Sequence, residues 1–185
     1  MNVVGRIAAA LVLLAASPLL LAVSFAVWCD DGGPVLFRQI RVGRFGRHFT
    51  MYKFRSMRIQ PGPPLTRTGD PRVTRTGRFL RTCKLDELPQ LWNIVRGEMA
   101  WIGPRPELPE FVDMDDPLWR RVLQLRPGLA DAASIEFRNE EQMLAAVPDP
   151  QDYYRREILP RKLRLSIEHS LRRSPRRSSG RARPI

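Results

Sequence analysis

The sequence predicts an α+β chain, helix-rich with one small β-hairpin and an uncharged N-terminal helix of membrane length. Three observations predict it. Residues 7–29 contain no charged side chain, a run long enough to lie in a bilayer. Two short, partly alternating apolar runs flank a turn bracketed by Gly43 and Gly46, the pattern of a hairpin. Further on, apolar residues recur at helical spacing between proline and glycine stops.

The elements follow in order. Arg6 precedes the apolar run and Asp30-Asp31-Gly32-Gly33-Pro34 closes it. Ser17-Pro18 lies near its middle, where proline removes a helical hydrogen bond and favours a kink. Each arm then has about eleven residues, or roughly 16 Å at 1.5 Å per residue. That is about half of a ~30 Å hydrocarbon core. A sharply bent helix would return to the face it entered, whereas a mildly kinked one would span, and composition leaves both open. The run exceeds a signal-peptide apolar region and no small-x-small site precedes Asp30, so cleavage is not expected. Cys29 follows Trp28, a poor lipoprotein site, and reads as a free thiol.

Residues 35–43 read as a strand and 49–54 as its returning partner. Residues 59–70 hold Pro61, Gly62, Pro63, Pro64 and Gly69 and read as a loop. Residues 76–81 suit a short helix. In Lys84-Leu85-Asp86-Glu87-Leu88-Pro89-Gln90-Leu91-Trp92-Asn93, Pro89 fits the first turn of a second helix that Gly97 stops. Residues 99–102 lead into Gly103-Pro104-Arg105-Pro106, a stiff loop with a fixed arginine. Residues 117–125 read as a helix ended by Pro127-Gly128, and residues 153–171 as a basic amphipathic helix interrupted at Pro160. Residues 170–185 carry six arginines and no acid, so a disordered basic arm is expected.

Charge narrows the class. Lys and Arg number 31 against 19 acids, for a net charge of +12. Residues 38–58 hold seven of those basic residues and no acid, which favours the cytoplasmic side of a membrane and its anionic lipids. Two cysteines give no disulfide framework. His48 and His169 have no spaced companions for a metal motif. The adjacent acids Asp86 and Glu87 stand out in so basic a chain. A helix start favours both an ionised carboxylate and a bound phosphate, so Asp86 is a candidate nucleophile towards a phosphoryl centre. A solvated pair that merely assists the helix start accounts for the same two residues.

Several blocks together resemble a known family. Gly33-Pro34-Val35-Leu36-Phe37-Arg38-Gln39 with Arg41-Val42-Gly43, then Tyr52-Lys53-Phe54-Arg55-Ser56-Met57, resemble the bacterial sugar transferases. So do Leu85-Asp86-Glu87-Leu88-Pro89-Gln90-Leu91-Trp92-Asn93 and Gly103-Pro104-Arg105-Pro106-Glu107. The blocks occur in order, cover the chain from Arg6 to about Leu171, and are similar to the small, monotopic polyprenyl-phosphate phosphoglycosyl transferases.

The resemblance implies a reaction. An aspartate attacks the β-phosphate of a UDP-sugar, UMP leaves, and undecaprenyl phosphate then takes the phosphosugar from the covalent aspartyl intermediate. By motif position Asp86 is the nucleophile and a contact of Mg²⁺, and Glu87 is its catalytic partner. Lys53, Arg81 and Arg105, with Pro104 and Pro106 around the last, are the substrate-binding set. Arg38, Arg41, Arg44 and Arg47 are left to the membrane surface. The resemblance also makes Ser17-Pro18 the hinge of a re-entrant helix, with amphipathic helices at 117–125 and 153–171 lying on the cytoplasmic face of the bacterial inner membrane. The division is then a membrane helix at 1–29, a catalytic domain at 30–171 and a basic tail at 172–185. Partners would be a UDP-sugar, undecaprenyl phosphate and anionic lipids, with a homodimer left open.

Departures from the family pattern are local. Ala100-Trp101-Ile102 changes apolar shape before the Pro-Arg-Pro loop, and Leu129-Ala130 replaces an Ile-Thr pair, which leaves a sugar contact there open. A membrane-tethered nucleic-acid-binding module would also explain the charge. The basic segments lack a reading helix, zinc spacing or an RNA-binding aromatic motif, so no nucleic-acid partner is expected. An inactive membrane scaffold would not need the Asp86, Glu87, Lys53, Arg81 and Arg105 set.

Overall fold

A computed structural model of the chain describes residues 3–173. It is a mixed helix-and-sheet fold in which short elements wrap a small hairpin. Helices α1 (Val3–Ala15) and α2 (Ser17–Asp31) meet at a 60° bend. The break falls at Ala16, and Pro18 occupies the first turn of α2, where its missing N–H is tolerated. No single helix among the described residues is long and apolar enough to cross a membrane, although the bent pair passes that test jointly.

Each arm buries one face and exposes another. Ala9 of α1 is fully buried against Leu91, Ile94 and Met99, while Val23 and Val27 of α2 pack on Phe54 and Leu80. Ile7, Leu11, Leu14, Leu21, Phe25 and Trp28 stay exposed. Two polar ties fix α1: Arg6 donates to the Val95 carbonyl at 2.7 Å, and the Trp101 indole to that of Gly5 at 3.0 Å. At the end of α2, Asp31 pairs with buried Arg55 and Asp30 accepts from the Thr76 N–H at 2.9 Å.

Strands β1 (Leu36–Val42) and β2 (His48–Phe54) form the expected antiparallel hairpin, with Phe37 opposite Lys53 and Gln39 opposite Met51. Residues 59–70 are irregular, as the proline and glycine content predicts. Helix α3 (Arg75–Thr82) is capped by Thr74, whose hydroxyl accepts from the Gly77 N–H. Gly77 also lets the helix approach the chain at Ser56, because a Cβ there would meet the Ser56 carbonyl oxygen at 2.0 Å. A 3₁₀ turn, Leu85–Glu87, follows, and α4 (Gln90–Arg96) ends at Gly97 with φ +81°.

The second half differs more from expectation. Strands β3 (Ala100–Ile102) and β4 (Gly128–Ala130) form a parallel pair that sequence reading leaves out, since three-residue strands carry almost no alternation. Helices α5 (Pro117–Val122), α6 (Ala132–Glu136), α7 (Glu140–Ala145) and α8 (Pro150–Tyr153) lead into a π turn, Tyr154–Ile158, and then α9 (Leu159–Arg173). Pro160 therefore does not interrupt the last helix. It has no N–H for a carbonyl one turn back, and the π turn immediately before it opens the helix where that bond is missing.

The amphipathic faces also go elsewhere than expected. Trp119, Val122 and Leu123 pack with Tyr154, Ile158, Leu159 and Leu163 in the largest core cluster. The apolar stripes of 117–125 and 153–171 thus cover each other, which corrects their assignment to a membrane surface. Helix α9 runs to Arg173, so residues 170–173, placed in the basic arm by charge, are helical. The rest of the arm lies outside the described residues.

Candidate active site

The site forms where the 3₁₀ turn between α3 and α4 meets β2 and the Pro-Arg-Pro loop. Leu85 and Leu88 pack on the clusters that α1 and α2 complete. That packing holds the two acids between them in place. Asn93, with no exposed surface, joins α4 to the hairpin: its amide donates to the Thr50 carbonyl at 2.7 Å and its oxygen accepts from the Tyr52 N–H at 3.2 Å. Lys53 is thereby set opposite Glu87.

Glu87 is the hub of the cluster. Arg105 meets it in a fork, at 2.6 Å and 3.3 Å, and the Lys53 ammonium stands 3.5 Å from the same carboxylate. Burial opposes ionisation of Glu87, but Arg105 and Lys53 outweigh it and hold its pKa below the usual carboxylate range. Burial lowers Lys53 to about 8, with the Arg105 charge adding to the effect and Glu87 opposing it. Arg105 is shifted the other way, because Glu87 overcomes its burial.

Asp86 is 6% exposed, and its Oδ1 has no hydrogen-bond partner. Burial raises its pKa, Lys53 opposes the shift, and Glu87 reinforces it. A helix start is expected to favour the ionised form, yet at Asp86 desolvation outweighs that effect. Burial that raises a carboxylate in this way makes its ionised form more basic, hence a better nucleophile.

The remaining expected residues divide. Arg81 turns to Glu141 of α7 and to the Met57 sulfur at 3.5 Å, and acts on Asp86 only through its charge. Pro104 and Pro106 are buried and hold the loop through their carbonyls. Pro104 accepts from the Gly128 N–H at 2.9 Å, and Pro106 from Arg41 at 3.2 Å. Arg38, Arg44 and Arg47 are exposed. Arg41 is not, which corrects its place on the membrane surface. Its guanidinium turns inward to Gln39, Pro106 and Glu107, the last at 3.6 Å.

Sequence reasoning left out this second layer. Glu107 accepts from the Tyr154 hydroxyl at 2.6 Å, with Lys162 3.8 Å away and itself tied to Glu140. The hairpin register gave one usable signal, because Gln39 and Arg41 share a strand face with the residue opposite Lys53. Tyr154 and Lys162 come from a distant helix and gave none. The arrangement gathers Lys53 and Arg105 on Glu87 beside the buried Asp86, which suits an anionic, oxygen-rich ligand.

Mg²⁺ commonly uses one or two carboxylates and lets substrate phosphates complete its shell. The Asp86 carboxylate, which no ion pair among the described residues engages, fits such a partial donor set. Among the described residues, no cluster of three or more His, Cys, Asp or Glu could hold a metal without a substrate.

Comparison with known proteins agrees with the geometry. The profile described as "Bacterial sugar transferase" matches residues 2–165. A UDP-N-acetylgalactosamine-undecaprenyl-phosphate N-acetylgalactosaminephosphotransferase of Aeromonas hydrophila is 43% identical over 125 residues, covering 64% of this chain and 30% of that protein. A UDP-glucose:undecaprenyl-phosphate glucose-1-phosphate transferase of Xanthomonas campestris is 36% identical over 179 residues, covering 90% of this chain and 37% of the relative. One with the same name from Caulobacter vibrioides is 40% identical over 140 residues, covering 72% and 52%. The chain thus spans between about a third and a half of these relatives' lengths. With the profile extending over most of its length and the motif residues gathered around Asp86, this chain belongs to the bacterial sugar transferase family.

Proposed function

We propose that the chain transfers a sugar 1-phosphate from a UDP-sugar to undecaprenyl phosphate, releasing UMP, as the first membrane step of a surface glycan or glycoconjugate. The observation that carries this reading is a buried aspartate with a free oxygen beside cations already gathered on one neighbouring carboxylate. The relatives' names supply the acceptor and the donor class. Asp86 attacks the β-phosphorus, the bond from that phosphorus to the UMP oxygen breaks, and a phosphosugar-aspartate remains. Lys53 and Arg105 swing part of their charge from Glu87 to the phosphate oxygens as UMP departs. Bound Mg²⁺, held by Asp86 and the diphosphate, would offset the substrate's charge. An oxygen of the lipid phosphate then displaces Asp86, and Glu87 orients that incoming group.

Location follows from the same chemistry. The acceptor is a lipid and the donor is water-soluble, so the site belongs at an interface. The bent pair α1–α2, with its exposed apolar residues, is the proposed re-entrant anchor, hinged at Ser17-Pro18 and inserted from the cytoplasmic face of the inner membrane. Exposed Arg38, Arg44 and Arg47 would meet anionic headgroups.

Purified protein in nanodiscs with Mg²⁺, undecaprenyl phosphate and a panel of UDP-sugars should release UMP from a matching donor. Asp86→Asn should abolish that release. Full turnover by the variant would remove Asp86 from the chemistry, and a wild type inert towards every donor would favour a scaffold.

A further inference from the structure

Three buried side-chain atoms among the described residues lack a hydrogen-bond partner: Arg55 Nε, Asp86 Oδ1 and Gln90 Nε2. The last two belong to one helical run. The 3₁₀ turn Leu85–Glu87 continues through Leu88 (φ −54°, ψ −37°) and Pro89 (φ −60°, ψ −18°) into α4. Residues three and four apart on such a run are neighbours. Gln90 therefore lies one turn beyond Glu87 and Asp86 alike.

Its direction is fixed from both sides. Glu87, three residues before it, meets Lys53 of β2. Asn93, three residues after it, bonds Thr50 and Tyr52 of the same strand. Gln90 lies between them on that face, 1% exposed. A buried amide N–H without an acceptor is costly, and an apolar side chain of the same shape would avoid that cost. Such a group is free to take an acceptor that arrives at another stage of the cycle.

We propose that Gln90 is a positioning residue for Asp86, its side-chain amide donating to Oδ1 once Oδ2 carries the phosphosugar. This rests on the nucleophile role given to Asp86 above. In the second half-reaction an anionic oxygen of the lipid phosphate forms the new bond to phosphorus. The Asp86 Oδ2–phosphorus bond breaks and its electron pair returns to the carboxylate, with no proton left over. Charge shared by resonance grows on Oδ1 as the bond breaks, so an N–H there binds the transition state more tightly than the acyl phosphate. In the free protein Oδ1 and the amide are each unpaired, so the donor does not help the first attack. Its effect is therefore one-sided.

That asymmetry gives the test. Full-length wild type and Gln90→Met are loaded in nanodiscs with UDP-glucose and, separately, UDP-N-acetylgalactosamine. Intact mass follows the phosphosugar adduct before and after undecaprenyl phosphate is added. The variant should load at the wild-type rate or faster and release the adduct about ten- to a hundredfold more slowly. Its Tm should be unchanged or higher, because an unpaired buried donor has gone. Gln90→Leu repeats the measurement if the Met variant does not fold. Release at the wild-type rate overturns the proposal, as does equal slowing of both half-reactions with a lowered Tm, the mark of a purely structural amide. A wild type that carries no adduct overturns it together with the reading beneath it, and that failure is distinct because it appears before any substitution.

Discussion

Lys53 gives the most direct test of how the site is charged. Burial and the neighbouring Arg105 bring its pKa to about 8, so it is about nine-tenths protonated at pH 7 and about one-tenth at pH 9. The sign follows from its proposed role. The ammonium binds diphosphate only when charged, so kcat/KM should fall as pH rises through about 8, approaching tenfold per unit beyond it. Each such tenfold loss is about 1.4 kcal/mol of transition-state stabilisation. Bound diphosphate favours the charged form, so the corresponding limb in kcat should lie at higher pH. Lys53→Arg keeps a cation that does not titrate in this range; it should lower the plateau and remove the limb. The assay is UMP release at limiting donor, in nanodiscs, from about pH 6 to about pH 10. A wild-type profile flat through about pH 9, or an unmoved limb in Lys53→Arg, would refute the reasoning.

Other substitutions test the scaffold around that charge. Gly77→Ala gains about 1 kcal/mol of helix propensity but drives a Cβ to 2.0 Å from the Ser56 carbonyl oxygen. The clash should win by about 1–3 kcal/mol, read as a lowered Tm. Tyr154→Phe removes the hydroxyl that donates to Glu107 at 2.6 Å and should cost about 1–3 kcal/mol in denaturant unfolding; an unchanged midpoint would contradict it. Pro18→Leu restores the missing helical N–H and should reduce the 60° bend. A thiol label at the N-terminus would then become reactive from the opposite side of the membrane, whereas same-side labelling would argue against the hinge.

What was legible in the sequence is what local rules control. The hairpin shows in its alternation, α3 and α4 in their stops, and the Asp86, Glu87, Lys53 and Arg105 cluster in linked motifs. Contacts between distant segments were not legible. Arg81 reads as a phosphate ligand by position, yet its nearest carboxylate is Glu141 on α7, an element too short to predict. Arg41 reads as one of four similar arginines until the strand register turns it inward. Amphipathic spacing at 117–125 and 153–171 correctly says that a face is covered. It cannot say that the cover is the other helix.

In the proposed reaction the fork between Arg105 and Glu87 would also act as a filter. Both cations are paired at rest with one carboxylate that cannot leave and that cancels one of their two charges. A singly charged anion from solution gains little by displacing it, since one fixed pairing is only exchanged for a weaker, mobile one. A diphosphate offers several oxygens at once and can hold both cations while Glu87 stays within reach. Inorganic phosphate and chloride should therefore compete poorly for a site whose overall surroundings are strongly basic. Selectivity for a polyanion then comes from an acid within the site rather than from a surplus of positive charge.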